Sequence, residues 1–383
     1  MSYHFTIPKS MYIGENALAH SLNELSTFGK KAFIISGHSM IKQGYMDHLI
    51  QILSEKNIES CIYSKISGEP TDVMIRDGVD LFKKENCDFM IGFGGGSPLD
   101  AMKAIAALVA NGGEITDYMG KEIGGELPKM AAIPTTAGTG SEATQFTIIT
   151  DTKKDIKMLL KGRALIPDAA IIDPQFTMSA PPEITAATGL DALCHAIEAF
   201  TSKKAQEFSD TFALSAVVRI FENLPRVYAD GNNQDAREQM SLAALEAGIA
   251  FNNASVTIIH GMSRPIGAMF HIPHGMSNAM LMKECLSFVL DGAYNRFAIL
   301  ARKIGVATEA DSDKAASEQF IKAIEELCRT CGVPSLREYG VDQRQLEAVI
   351  EKMSKDALES GSPSNTRKDV SILDIKMIYK KIL

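Results

Sequence analysis

Residues 87–106 read CDFMIGFGGGSPLDAMKAIA: a short apolar run, three consecutive glycines, then a helical pattern. Asp88–Phe93 has the length and hydrophobicity of a buried strand. Gly94, Gly95 and Gly96 lack Cβ atoms, so their backbone can approach a bulky anion and adopt positive φ. Ser97 is the expected N-cap, Pro98 the first helical residue, and Asp100 completes an S-x-x-D capping pattern. Such a helix start would aim free N–H groups and the positive dipole end at the loop, as a pyrophosphate requires. The run is not a strict G-x-G-x-x-G, because Ser97 stands at the third glycine position, and it has no P-loop lysine. By itself it is also compatible with a plain strand–helix turn.

Outward from that turn, apolar runs at Ala32–Ser36, Cys61–Ile66, Met130–Pro134 and Ala169–Asp173 alternate with amphipathic stretches at Ser39–Lys56, Asp72–Glu85 and Pro98–Ala110. This alternation predicts βαβ units on a mostly parallel, Rossmann-like sheet. Phe146–Thr150 and Lys157–Leu160 read as an inserted hairpin. Thr135, Thr136, Thr139 and Thr144 surround a glycine-containing loop after the strand at Met130–Pro134. Hydroxyls at a strand's carboxyl end suit the ligand crevice of an open α/β sheet. Beyond Ala180-Pro181-Pro182 strand patterns vanish, and Phe208–Tyr228, Ala236–Phe251 and Lys314–Cys331 have helical spacing. The expected organisation is an α/β dinucleotide-binding domain, 1–180, followed by an all-α metal-binding and catalytic domain, 181–383. Ser360–Arg367 reads as a polar loop before the last helix.

Composition narrows the partners. A net charge of −8 over 383 residues argues against nucleic acid. No apolar run is long enough to span a membrane, and MSYHFTIPKS lacks the apolar core of a signal peptide. Six cysteines form no disulfide framework, and Cys328-x-x-Cys331, without a second such pair, reads as structural. A cytoplasmic enzyme is expected.

Four of the eight histidines fall between 195 and 274. In GLDALCHAIEAF, Asp191 and His195 stand at i and i+4 of a predicted helix, one above the other. In HGMSRPIGAMFHIPHG, His260 and His274 each precede a glycine. Three nitrogens and one oxygen would suit Fe(II) or Zn(II) better than Mg(II) or Ca(II).

Taken together, GGGSPLDAMKAIA, IPTTAGTGSE, GLDALCHAIEA and HGMSRPIGAMFHIPHG resemble the motifs of the iron-containing (group III) alcohol dehydrogenase family over nearly the whole chain, and SNTR at 364–367 is similar to a further family motif. The resemblance implies two domains of dehydroquinate synthase-like architecture with the active site in the cleft between them. It implies NAD or NADP on Gly94–Ser97, Asp100 and the threonine loop, with Lys157 reaching the cofactor. Fe(II), with Zn(II) as the alternative, would be held by Asp191, His195, His260 and His274. Interconversion of alcohols with aldehydes or ketones is the implied activity, and the family's habit of forming dimers and larger assemblies implies a homo-oligomer.

Two departures bear on substrate and cofactor. Arg264 stands where many family members carry a proton-relaying histidine. An arginine stays protonated and cannot titrate, so His271 becomes the candidate relay. Arg264 itself offers a forked cation for a carboxylate, sulfonate or phosphonate on a short aldehyde, such as a semialdehyde or sulfoacetaldehyde; otherwise it would pair with Glu198, Glu246 or cofactor phosphate. Gly37, after the strand at Ala32–Ser36, occupies the place of an acid common in NAD-preferring members, which leaves NAD and NADP both open. The alternatives are a generalist enzyme for neutral short-chain alcohols, a dehydroquinate synthase-like lyase, which would need more basic residues than Arg264, Lys203 and Lys204, and a non-catalytic metal- or nucleotide-binding protein. Phe251 and Phe146 are the candidate pocket residues.

Overall fold

In the computed structural model, which describes residues 2–383, Phe89–Gly94 is a strand buried along its length within a six-stranded sheet. The first of two units divided by contact, Met1–Ala180, runs β1 (Ser10–Ile13), α1 (Ala17–Phe28), β2 (Lys31–Ser36), α2 (His38–Lys42), α3 (Tyr45–Ser54), β3 (Glu59–Tyr63), α4 (Asp72–Lys84), β4 (Phe89–Gly94), α5 (Gly96–Asn111), β5 (Met130–Pro134), β6 (Phe146–Asp151), β7 (Ile156–Lys161) and β8 (Ala169–Ile172). The sheet order is β1-β8-β5-β4-β2-β3, and every pair is parallel. β6 and β7 form a separate antiparallel pair.

Both sheet faces are covered, which is why the strands carry no polar alternation. Phe33, Ile35 and Met90 pack to one side with Ile75, Val79 and Phe82 of α4 and Leu99 and Ile105 of α5. Ile34, Phe89, Ile91 and Phe93 pack to the other with Leu18, Leu22 and Leu25 of α1 and Leu49 and Leu53 of α3. From β2 the chain passes outward to β3 and then returns across β2 to β4. The order reverses there, so the carboxyl ends of β2 and β4 flank the crevice in which open α/β sheets bind ligands.

Several expectations are corrected. Helix α5 begins at Gly96 with Gly95 as N-cap, and no side chain caps it. Ser97 and Pro98 lie in its first turn, where a missing N–H costs nothing, and Asp100 is drawn elsewhere by stronger partners. The stretch Ser39–Lys56 is two helices rather than one, broken at Gly44 with φ 76°. The third strand ends at Tyr63 instead of Ile66, since its pairing with β2 extends only to Ile35–Tyr63. β1 was not foreseen, because SMYI is too short to show a period.

The second unit, Pro181–Leu383, contains α6 (Pro182–Thr201), α7 (Glu207–Ala229), α8 (Gln234–Ala254), α9 (Ile258–Phe270), α10 (His274–Val289), α11 (Tyr294–Lys303), α12 (Asp313–Thr330), α13 (Gln343–Glu359) and α14 (Ile372–Lys381). No single helix among the described residues is long and apolar enough to cross a membrane. α6 is buried over almost all of its last seventeen residues and packs against α7, α8 and α10. A helix sunk so deeply must satisfy any polar side chain internally, and Asp191, His195 and Glu198 lie along one of its faces. Gly275 lets α10 come this close, since a Cβ there would lie 2.3 Å from the Ala187 carbonyl oxygen. The supposed polar loop at 360–367 is partly buried instead. Asn365 Nδ2 donates to Ser255 Oγ and the Val256 carbonyl, both at 3.0 Å. It thereby clamps the left-handed Ser255 turn, φ 66°, ahead of α9.

Candidate functional sites

In the α/β unit the carboxyl ends of β2, β4 and β5 gather the residues expected to meet a dinucleotide. Ser36 Oγ donates to the Phe93 carbonyl at 2.7 Å, and Thr135 N donates to the Gly94 carbonyl at 2.9 Å. Gly37 caps α2. The threonine loop lies directly on the glycine turn. A Cβ on Gly96 would come 2.9 Å from Thr139 Cγ2, and one on Gly95 3.6 Å from Thr136 Oγ1. The start of α5, with no side-chain cap, leaves N–H groups available at this crevice. The cradle fits a pyrophosphate.

Behind the cradle sits a buried charged cluster. Lys103 Nζ donates to Ser141 Oγ at 3.0 Å and to the carbonyls of Thr144 and Phe146 at 2.9 Å, and lies 3.1 Å from Thr144 Oγ1. Asp100 accepts from Ser141 Oγ at 2.7 Å and from Ile148 N at 2.9 Å. Both of its oxygens are therefore committed to the loop and hairpin, and Thr144 likewise faces Lys103. Burial lowers the Lys103 ammonium to about 8 against the pull of Asp100 and Glu142. Burial also raises Glu142 to about 7, against its own backbone N–H and Lys103. Lys157 pairs with Glu69 at 2.6 Å.

In the helical unit, Asp191, His195 and His260 bring one ligand atom each within 4.8 Å of one another. His274, at the first position of α10, places Nε2 3.7 Å from Asp191 Oδ1, and His260 Nε2 lies 3.6 Å from the same oxygen. The rings of His195 and His260 stack at 4.4 Å, with Phe251 on the other face of His195 at 4.1 Å. Burial alone would raise the Asp191 carboxyl, but His195, His274 and the bond to His260 hold it well below the usual range.

Asn278, one turn after His274, tests whether a cation fits. Its Nδ2 lies 2.6 Å from Asp191 Oδ1 and 3.2 Å from Nε2 of both His260 and His274. An amide nitrogen has two protons and cannot serve three acceptors. Its Oδ1 is buried without a hydrogen-bond partner among the described residues. Lone pairs thus outnumber donors where the ligand atoms converge, and borderline nitrogen and oxygen donors in this proportion suit Fe(II) or Zn(II).

Glu198, also on α6, enters from the sequence only as a partner for Arg264; its position three residues after His195, on the same face, is the signal that marks it. Its Oε1 accepts from Thr257 Oγ1 and Ile259 N, both at 2.7 Å, while Oε2 bonds His260 Nδ1. Arg264, one turn after His260 on α9, makes no direct hydrogen bond or ion pair among the described residues. Burial lowers its pKa from the ordinary value, opposed by the charge of Glu198. Glu246, the other proposed partner, is instead engaged by Ser215 at 2.9 Å and Arg219 at 3.2 Å. His271 is exposed at the C-cap of α9, with φ 55°.

Two family models match this architecture: iron-containing alcohol dehydrogenase over residues 8–174, and the C-terminal part of the Fe-containing alcohol dehydrogenase family over 185–383. The chain belongs to the iron-containing alcohol dehydrogenase family, and as such is an oxidoreductase acting on CH–OH groups with a nicotinamide cofactor. It is 36% identical over 382 residues to the NAD-dependent methanol dehydrogenase of Bacillus methanolicus, covering 99% of each chain. Among solved structures it resembles a 1,3-propanediol oxidoreductase, with TM-score 0.97, 33% identity and full coverage of both chains. It also resembles the sulfoacetaldehyde reductase of Bifidobacterium kashiwanohense in complex with NAD+, with TM-score 0.90, 27% identity, and 100% and 99% coverage.

Proposed function

We propose that the chain is a metal-dependent aldehyde reductase and alcohol dehydrogenase whose short-chain substrate carries an anionic tail held by Arg264. The α/β unit would bind NAD or NADP through Gly37, Gly94–Ser97 and Thr135, Thr136 and Thr139, with Lys157 released from Glu69 to meet the cofactor. Asp100 and Thr144 would serve the same cofactor from behind, by fixing the loop. Asp191, His195, His260 and His274 would hold Fe(II), or Zn(II) in its place, which when bound supplies Lewis acidity for a carbonyl oxygen. His271, open to solvent three residues before His274, is assigned the proton exchange that Arg264 cannot perform.

The observation that carries the substrate reading is the state of Arg264. A permanently charged fork, partly withdrawn from water and one helical turn from a proposed ligand histidine, has no direct protein partner among the described residues, although guanidinium groups removed from water are normally paired. Glu246 is occupied, and Glu198 spends its oxygens on α9 and His260. A sulfonate or carboxylate offers the fork a planar or tetrahedral set of oxygens. The sulfoacetaldehyde reductase among its structural neighbours acts on such a substrate. The names of the methanol and propanediol enzymes favour the second reading, a generalist for neutral alcohols. The two are separated by kcat/KM for sulfoacetaldehyde against acetaldehyde with metal-loaded enzyme and saturating reduced cofactor. A ratio of several hundred, about 3–4 kcal/mol of selective transition-state binding, falling towards one in Arg264→Leu, supports the clamp. A ratio near one in the unaltered enzyme selects the generalist.

A further inference from the structure

We propose that Glu198 is a positioning residue that locks His260 in the tautomer and orientation able to bind a metal ion, and anchors the start of α9 to α6 with the same carboxylate. This inference rests on the ligand set proposed above.

The start of a helix leaves four N–H groups without intrahelical partners, and its positive dipole end favours a nearby anion. The side chain of the N-cap residue, Thr257, does not cap it. Glu198 performs that service from α6: Oε1 takes the N–H of Ile259 and the hydroxyl of Thr257. The second oxygen accepts from His260 Nδ1. A carboxylate has only lone pairs to offer, so Nδ1 carries a proton, and in the neutral imidazole that a metal ion binds Nε2 is then the nitrogen with the free lone pair. Nε2 is the atom that faces Asp191 Oδ1 and Asn278. Glu198 is wholly buried and both its oxygens are bonded, so the imidazole has little freedom to turn.

Glutamine at this position cannot reproduce the pattern. If its oxygen accepts from Ile259 N–H and Thr257, its NH2 faces Nδ1. His260 must then hold its proton on Nε2, where a metal would sit. If the amide turns over, two donors confront the Ile259 N–H. A carboxylate that orients a ligand histidine typically contributes 10–100-fold to metal affinity.

The experiment measures Zn(II) and Co(II) affinity of the full-length protein by competition with a chromophoric chelator, alongside the Co(II) visible spectrum and the thermal midpoint of metal-free protein. The variants are Glu198→Gln, Glu198→Asp, Thr257→Val and, as a control for the ligand set, Asp191→Ala. The expected result is a 10–100-fold loss of affinity with an altered Co(II) spectrum in Glu198→Gln. Thr257→Val, which removes one capping partner but leaves the histidine contact, should lower the thermal midpoint with affinity changed less than threefold. Should Glu198→Gln not fold, Glu198→Asp takes its place with the same expectation, because its shorter reach must give up either the cap or the histidine. Equal losses of affinity in the Thr257 and Glu198 variants would overturn the proposal by making the role one of packing alone. Unchanged affinity in the folded Glu198 variants with loss in Asp191→Ala would also overturn it while sparing the ligand set. Unchanged affinity in all four would remove the ligand set and the inference with it.

Discussion

Replacing Lys103 with methionine tests how the cofactor loop is held. The ammonium has three protons and four oxygens within reach, from Ser141, Thr144 and Phe146. Methionine keeps most of the buried volume but leaves the Thr144 and Phe146 carbonyls short of a donor, and Asp100 and Glu142 without their nearest cation. Removing one partner from a buried charge pair typically costs about 3–5 kcal/mol, against which the release of a desolvated ammonium is a gain. A net loss of about 3 kcal/mol is expected, because Glu142 can neutralise itself by taking up a proton. For a unit of this size that corresponds to a fall of roughly 6–12 °C in midpoint, read by calorimetry. Because the network fastens Ser141, Thr144 and the hairpin to α5, KM for the dinucleotide should rise at least fivefold while metal content is unchanged. The double variant Asp100→Asn, Lys103→Met should recover part of the stability by removing an uncompensated charge. A single variant within 2 °C of the parent, with unaltered cofactor KM, would refute the idea that this cluster positions the loop.

Glu142→Gln should stabilise the protein in a pH-dependent way. Its carboxyl is raised from 4.5 to about 7 by burial, so in that interval the native state holds a proton that the unfolded chain releases. Its destabilising contribution is absent below the lower value, grows through the window and is constant above it. Unfolding free energies from urea titration should therefore coincide near the lower value and differ by up to about 3 kcal/mol at pH 8; an equal difference at both ends would exclude the titration as the cause. Gly275→Ala should lose at least about 2 kcal/mol through overpacking against Ala187 and bind metal more weakly, because His274 rides on the same turn; parental midpoint and metal content would show that α10 can shift freely.

The βαβ alternation and the change at Ala180 were legible because a doubly covered sheet demands continuous apolar strands separated by amphipathic helices. Asp191 and His195 were legible because four residues is a helical neighbour distance. His260 and His274 were joined to them by residue type and by resemblance rather than by spacing, since their meeting depends on how α9 and α10 pack against α6. Local pattern misled at Ser97 and Asp100. A capping motif competes with any stronger partner, and Lys103 with the Ser141 loop, some forty residues on, was not visible in a window of four. Asn365 read as loop because its partners, Ser255 and Val256, lie 110 and 109 positions away. Glu198 and Asn278 share faces with the proposed ligands His195 and His274, so helical spacing from a candidate ligand is the rule that would have found them.

Charge balance in the helical unit joins the substrate reading to the ligand set. Asp191 and Glu198 bring two buried negative charges, and His195, His260 and His274 can be neutral when their lone pairs are used. A divalent ion cancels the carboxylates, which leaves the charge of Arg264 unanswered. A neutral imidazole in its place would close the sum at zero, and a neutral alcohol could then enter without leaving any charge exposed to a poorly solvating environment. With arginine the sum is one positive charge, costly in a site partly removed from water. A substrate tail bearing one negative charge closes it. The same cation repels metal from the ligand set, and this gives the Glu198 carboxylate, whose charge is felt by Arg264, a second role: it lowers the positive potential that a divalent ion must meet.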